Sequence, residues 1–482
     1  MWLIRKVMLI SILLGLFTPF CCGAPMAVRG EILHFIGDPD KTTDNYQYWK
    51  DGLLVVDKGK ILDLGNAVNL LTKYPNIHIT QYQHSLIMPG FIDTHVHYPQ
   101  VEMIAAFGEQ LLEWLNRYTF PTEIKYSDME YARRGARFFL SELLRNGTTT
   151  ALVFGTVHKA SVDAFFEQAE ALNMRMIAGK VLMDRNARRD LLDTPESAYA
   201  DSKELIMRWH KKGRLLYAIT PRFAPTSSAA QLAMAGKLAQ EYNDVFIHTH
   251  LSENIDEVAL VKSLFPTCEG YLDVYHHAGL VRERAVFAHG VQLTDKEFMT
   301  LAEADAAISF CPTSNLFLGS GLFNLPKAEY YGVHVGIGSD VGAGTSLSTF
   351  RSLNEAYKIM QLQKRKLSPF KAFYLATLGG VRSLHLDNLI GNFEKDKEAD
   401  FIVIDLKATP LIDYRLRNSN TLFDRLFALM MLADDRAIKA TYIAGKLTRP
   451  FEGADDPIYS NLGHQNNLGR TTDVGIKLNN NN

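Results

Sequence analysis

The sequence is short of cysteine, of net charge and of long apolar runs, and each shortage closes off a class of protein. Four cysteines in 482 residues, two of them adjacent at Cys21 and Cys22, spell neither a disulfide framework nor a paired-cysteine metal knuckle, and they fit a reducing compartment. A formal net charge of −2, with no basic run interleaved with aromatics, gives no electrostatic reason to bind nucleic acid, so a small neutral or planar partner fits better. Beyond the first residues no segment is apolar for long enough to span a bilayer, and no stable membrane association is expected. What remains is a chain that is 47% hydrophobic and 22% charged, long enough for one large domain with an appendage.

The ends differ from the middle. Arg5 and Lys6 precede an apolar run over 7–17, and Cys22, Gly23 and Ala24 supply small residues, the pattern of a secretory signal. Pro25 is a poor residue to follow a cut, and Met26 offers a second start. We therefore take Met26 as the working start of a cytoplasmic protein, with residues 1–26 as a mis-assigned start and export through this leader as the alternative. Residues 27–88 contain a hairpin signal in LLVVDKGKILDLGN. The stretches ADFIVIDL and ATYIAGK, within 391–452, have the same strand-and-turn look, with no helix-length pattern between them. The two ends are expected to join in one small β-sandwich domain, and the asparagine-rich stretch 453–482 is expected to be disordered.

Between the ends, over 89–390, strands alternate with helices. Ser127 with Glu130, and Thr294 with Glu297, read as capping boxes, Gly147 as a helix stop, and Ser368 with Pro369 as a helix start. After an opening strand in MPGFIDTHVHYPQ, strands are predicted near 149–154, 176–183, 215–220, 246–250, 286–289, 307–310 and 334–338. Eight such units predict an α/β fold, a (β/α)₈ barrel.

In that fold the chemistry sits at the C-terminal ends of the strands, so the ends can be read as a list. His95 and His97 share a strand face, and His250 and Asp340 end two later strands. Three imidazoles and a carboxylate leave one position open, which is what a catalytic zinc needs; iron fits similar ligands. His248 competes with His250 for the same face, and the position nearer the strand end is preferred. Singly, each histidine is more often a hydrogen-bonded structural residue; the set at matching ends is what points to metal. Glu253, three residues beyond His250, can move protons at such a site, although alone it would read as a glutamate favoured by a helix N-terminus. His289 is either a further ligand or a proton donor and substrate contact. Arg222 and Phe223 offer a guanidinium and an aromatic face to a planar carbonyl-bearing ring, and Gln100 adds an amide; an ion pair and a core plug are the alternatives for Arg222 and Phe223. Lys180 suggests a carbamylated bridge between two metals, but it falls on the third strand and the fourth has no lysine, so one metal is expected. Asp184 and Arg185 are expected to line the pocket or to pair.

The motifs PGFIDTHVHYPQ, LLEWLNRYTFPTE, NGTTTALVFGTVH, TPRFAPT, HTHLSEN, AHG, CPTSNLFLGSG and SDVGAGTS, taken in order, resemble the amidohydrolase superfamily and, within it, the guanine deaminase family, over about 27–450. The resemblance implies zinc on His95, His97, His250 and Asp340, purine contacts from Gln100, Arg222, Phe223 and His289, and proton transfer by Glu253. It also implies hydrolysis of guanine to xanthine and ammonia by a homodimer. The H-x-E with PCxxC pattern of the other zinc deaminase fold is absent, since Cys311 and Pro312 have no second cysteine nearby. The rival readings are a deaminase of another amino-heterocycle, such as a pterin, cytosine or a triazine, and a non-catalytic barrel scaffold.

Overall fold

The computed structural model describes residues 24–448, apart from Thr43 and Glu109. The leader before Ala24 and the asparagine-rich tail lie outside the described residues. Eight parallel strands, Phe91–His97, Thr148–Phe154, Arg175–Gly179, Leu216–Pro221, Phe246–Leu251, Ala285–His289, Ala307–Phe310 and His334–Ile337, pair in chain order. Seven of the eight are buried along their whole length, as strands covered on both faces must be.

The first and eighth strands are joined by individual bonds. Asp340 N–H donates to His95 O at 2.9 Å and His97 N–H to Val341 O at 2.9 Å. The Asp93 carboxylate accepts from Ser339 N at 3.0 Å and from Ser339 Oγ at 2.5 Å. The approach is close enough to require glycine at 338, where a Cβ would lie 2.5 Å from Ser309 Oγ and 3.0 Å from the His95 Cβ. On its other side the first strand slips register against the second between Asp93 and Val96, which breaks the simple alternation of its side chains. Beneath the site, Ile92, Leu152, Ile177, Phe246 and Val286 fill the barrel, and Val381 and Leu384 close its base.

The chain ends meet as expected, but in one continuous seven-stranded sheet and not as two facing sheets. Its strand His78–Pro89 pairs in parallel with Met26–Phe35 and antiparallel with Phe401–Asp405. Bulges near Gly30 bend it, so that Val28, Leu54, Phe401 and Tyr442 share one apolar cluster.

Local expectations divide. Thr294 and Glu297 form a capping box, and Ser368 caps a helix with Pro369 in its first turn. The helix Met129–Arg145 is capped by Asp128 and not by Ser127, whose hydroxyl donates to Ile124 O; the carboxylate one residue later reaches Tyr131 N at 2.7 Å. The third strand is broken at Lys180, with Val181–Leu182 continuing it against the fourth. Two helices, Pro410–Arg417 and Leu422–Leu432, separate the end strands where no helix was expected. The second packs on Thr349–Leu362 and Pro369–Leu375. Its run of apolar residues shows little of the polar face that marks a surface helix. Among the described residues no helix is long and apolar enough to cross a membrane.

Candidate active site

The strand ends deliver their side chains to one place. His95 Nε2 lies 3.1 Å from Asp340 Oδ1, His97 Nε2 3.4 Å from the same oxygen, and His250 Nε2 3.2 Å from His97 Nε2. His289 Nε2 stands 3.7 Å from Asp340 Oδ2 and 3.4 Å from Glu253 Oε2. Three of the site's residues reach these positions with positive φ: Ser252 at 48°, His289 at 75° and Asp340 at 50°. Such backbone costs on the order of 1–3 kcal/mol each and is kept where it aims a side chain.

The outer nitrogens show which way each ring is turned. His250 Nδ1 sits 2.7 Å from the carbonyl oxygen of Arg222, which can only accept, so Nε2 presents a lone pair to the centre. His289 Nδ1 lies 2.8 Å from Asn315 Oδ1 and His95 Nδ1 2.7 Å from His248 Nε2, and in both the inward Nε2 is buried without an aligned hydrogen bond, facing only carboxylate oxygens. Burial lowers the basicity of His95, His97, His248 and His250, with His97 brought down to about 3, so the rings are neutral. Burial opposes ionisation of Asp340, but the surrounding imidazoles outweigh it and hold the carboxyl well below its usual range. Neutral lone pairs and a carboxylate converging on one point repel unless a cation lies between them. His95, His250, His289 and Asp340 place ligand atoms within 4.8 Å of one another, and His97 adjoins the group through His250 and Asp340. This donor set fits a first-row metal ion.

Glu253 adjoins this cluster through His289. Ser320 Oγ donates to its Oε1 at 3.1 Å, and burial, then repulsion from Asp340, pushes its carboxyl up to about 8. Its backbone is clamped by Glu257, whose Oε2 accepts from the N–H groups of Glu253 at 2.8 Å and Asn254 at 3.2 Å, while Tyr271 OH donates to Oε1 at 2.6 Å.

Above this cluster a pocket opens, walled by Gln100, Trp114, Arg222, Phe223, Leu318 and Glu253. Phe223 lies 6.2 Å from the His250 ring, and the Arg222 guanidinium 5.5 Å from the Phe120 ring. The structure thus gathers His95, His97, Gln100, Arg222, Phe223, His250, Glu253, His289 and Asp340 around one pocket. His248 sits behind His95. Asp184 and Arg185 neither line this pocket nor pair: Asp184 accepts from Ser228, and Arg185 donates to Ala224 O and Ser227 O, because both side chains tie down the loop after the fourth strand. Lys180 is buried against Asp193, away from the cluster. Reading strand ends missed Glu123, Glu257, Asn315 and Ser320, which come from helices and loops. Glu123 closes the motif LLEWLNRYTFPTE, its one sequence signal.

The amidohydrolase family pattern matches residues 86–448, most of the chain and all eight barrel strands. The chain belongs to the amidohydrolase family. This amidohydrolase is 58% identical to the guanine deaminase of Escherichia coli K12 over 425 residues, 87% of this chain and 97% of that one. It is 40% identical to a probable guanine deaminase of Deinococcus radiodurans, again over 425 residues, 86% of this chain and 97% of that one. Among solved structures, guanine deaminase from C. acetobutylicum with guanine bound in its active site superposes with a TM-score of 0.80 at 30% identity, covering 88% of this amidohydrolase and 99% of that chain.

Proposed function

We propose that this amidohydrolase hydrolyses guanine to xanthine and ammonia with one zinc ion. The observation that carries the reading is that the inward His and Asp donors, the acid-base group Glu253 and the ring-holding residues Arg222, Gln100 and Phe223 share one pocket. Named relatives over nearly the whole length support it.

His95, His97, His250 and Asp340 would hold the metal, which lowers the pKa of a bound water towards ~7. Asp340, ionised and central, accepts a proton as water oxygen adds to the ring carbon that bears the amine. Glu253 delivers a proton to the adjacent ring nitrogen, so that charge does not build up on the ring. Asp340 then passes its proton to the amine nitrogen, which leaves as ammonia, and the second proton of the water, on the oxygen now bound to the ring carbon, returns to Glu253 as the new carbonyl forms. His289, 3.4 Å from Glu253, stabilises the exchange. Arg222 faces the ring oxygen and Phe223 the ring plane, which favours a 6-oxo over a 6-amino purine. The reading includes a homodimer, a cytoplasmic location and a division into a barrel over 89–390 with a domain from the two ends.

Ammonia and xanthine release from guanine by the purified protein, with metal content measured in parallel, tests it. Brisk release from another amino-heterocycle and none from guanine would replace it.

A further inference from the structure

We infer that Glu123 is the positioning residue that sets the pocket's preference for a carbonyl over an amine on the bound ring, an inference that rests on the purine-deaminating reading above. Glu123 has 0% exposure although it is a carboxylate on a short helix, Phe120–Glu123. A buried charge is retained where it is paired and hydrogen-bonded. Its partners are two of the pocket's own polar residues: Arg222 Nη1 lies 2.9 Å from Oε1 and 3.0 Å from Oε2, and Gln100 Nε2 donates to Oε1 at 2.8 Å.

The consequence for Gln100 is specific. A carboxamide can turn over and exchange its donor and acceptor ends at little cost, which would reverse what it shows a ligand. Here the amine end is drawn to Glu123, which can only accept when ionised, and the carbonyl end accepts from Gly342 N–H at 3.3 Å. Arg222 is aligned by the same carboxylate, and Phe120 covers its face. With both residues fixed in this sense, the pocket offers N–H groups, and such a pocket accepts a ring carbonyl and leaves an amine facing donors unpaired. The preceding segment belongs to the same device: Leu111, Trp114 and Leu115 line the pocket, and Leu115–Thr119 is a π-helical turn leading directly into the helix that ends at Glu123.

The test compares guanine with 2,6-diaminopurine, which carries an amine in place of the carbonyl, as kcat and KM for wild type and Glu123→Gln. A carboxamide at 123 pairs with Gln100 in either sense. We expect the variant to raise KM for guanine more than it lowers kcat, and to narrow the guanine preference by at least ~10-fold, within the range that a site built for one hydrogen-bonding pattern commands. An equal loss on both bases, or an unchanged ratio, would overturn the inference and leave Glu123 a merely structural counter-charge. If Glu123→Gln does not fold, Glu123→Asp carries the same readout; it keeps the charge but is too short to reach both partners. Failure of wild type to release ammonia from guanine would count against the proposed function instead, and the ratio of equilibrium affinities for the two bases would still decide the role of Glu123.

Discussion

His34 in the end sheet and His95 and His289 at the barrel mouth are equally buried, yet of these three only His34 has both nitrogens in aligned hydrogen bonds. Phe393 N–H donates to its Nδ1 at 3.1 Å, its Nε2 meets Gln47 Oε1 at 3.0 Å, and the ring stacks on Trp49 at 5.8 Å. Burial brings its pKa down to about 4, much as it lowers those of His95, His97, His248 and His250. Low basicity therefore does not distinguish the two environments. The difference is the inward Nε2 of His95 and His289, buried without an aligned hydrogen bond and facing only carboxylate oxygens. Buried polar atoms in folded proteins are nearly all paired, so an orphan that converges with others marks a place for something else to bind.

The largest effect that would break this contrast is His250→Ala. It should abolish bound metal and ammonia release together, as measured by elemental analysis and a coupled assay, while His34→Gln leaves both unchanged. Next, Glu253→Gln should keep the metal and lower kcat by ~10²–10⁴-fold, the range for a lost acid-base group. A variant with near-normal turnover would remove Glu253 from the chemistry. His248→Ala should be milder: it deprives His95 Nδ1 of its partner, and outer-shell losses of this kind cost ~10–100-fold in metal affinity, readable by chelator competition.

The smallest effect belongs to the end sheet and appears only in stability. The pKa of His34 is lowered on folding, so its contribution is complete above the unfolded value of ~6.5 and is lost as pH falls towards about 4, on the order of 3 kcal/mol in all. Denaturant unfolding at pH 7 and pH 4.5 should show a shallower acid decline for His34→Gln than for wild type.

The same contrast explains what could be read from the sequence. The barrel was legible because each strand is a short apolar run, and its chemistry because a barrel gathers strand ends, so His95, His97, His250, His289 and Asp340 could be named from position alone. His34 shows the limit of that approach: nothing in EILHFIG distinguishes a histidine with both nitrogens satisfied from a ligand. Glu123 was missed for the opposite reason, since a glutamate in FPTE reads as solvated until the fold buries it against Arg222 and Gln100. The helix Leu422–Leu432 was missed because its apolar residues run along most of its length; what it covers is settled by other helices and not by its own periodicity.

Asp93 and Ser339 are 246 residues apart in the chain, and their hydrogen bonds join the two strands that carry His95, His97 and Asp340. Closing the barrel and assembling the donors are thus a single event. A chain emerging from the ribosome would present His95 and His97 early but lack Asp340 until almost the whole barrel had been made. Tight metal retention would then serve as an inspection mark, carried only by molecules whose first and last strands have met.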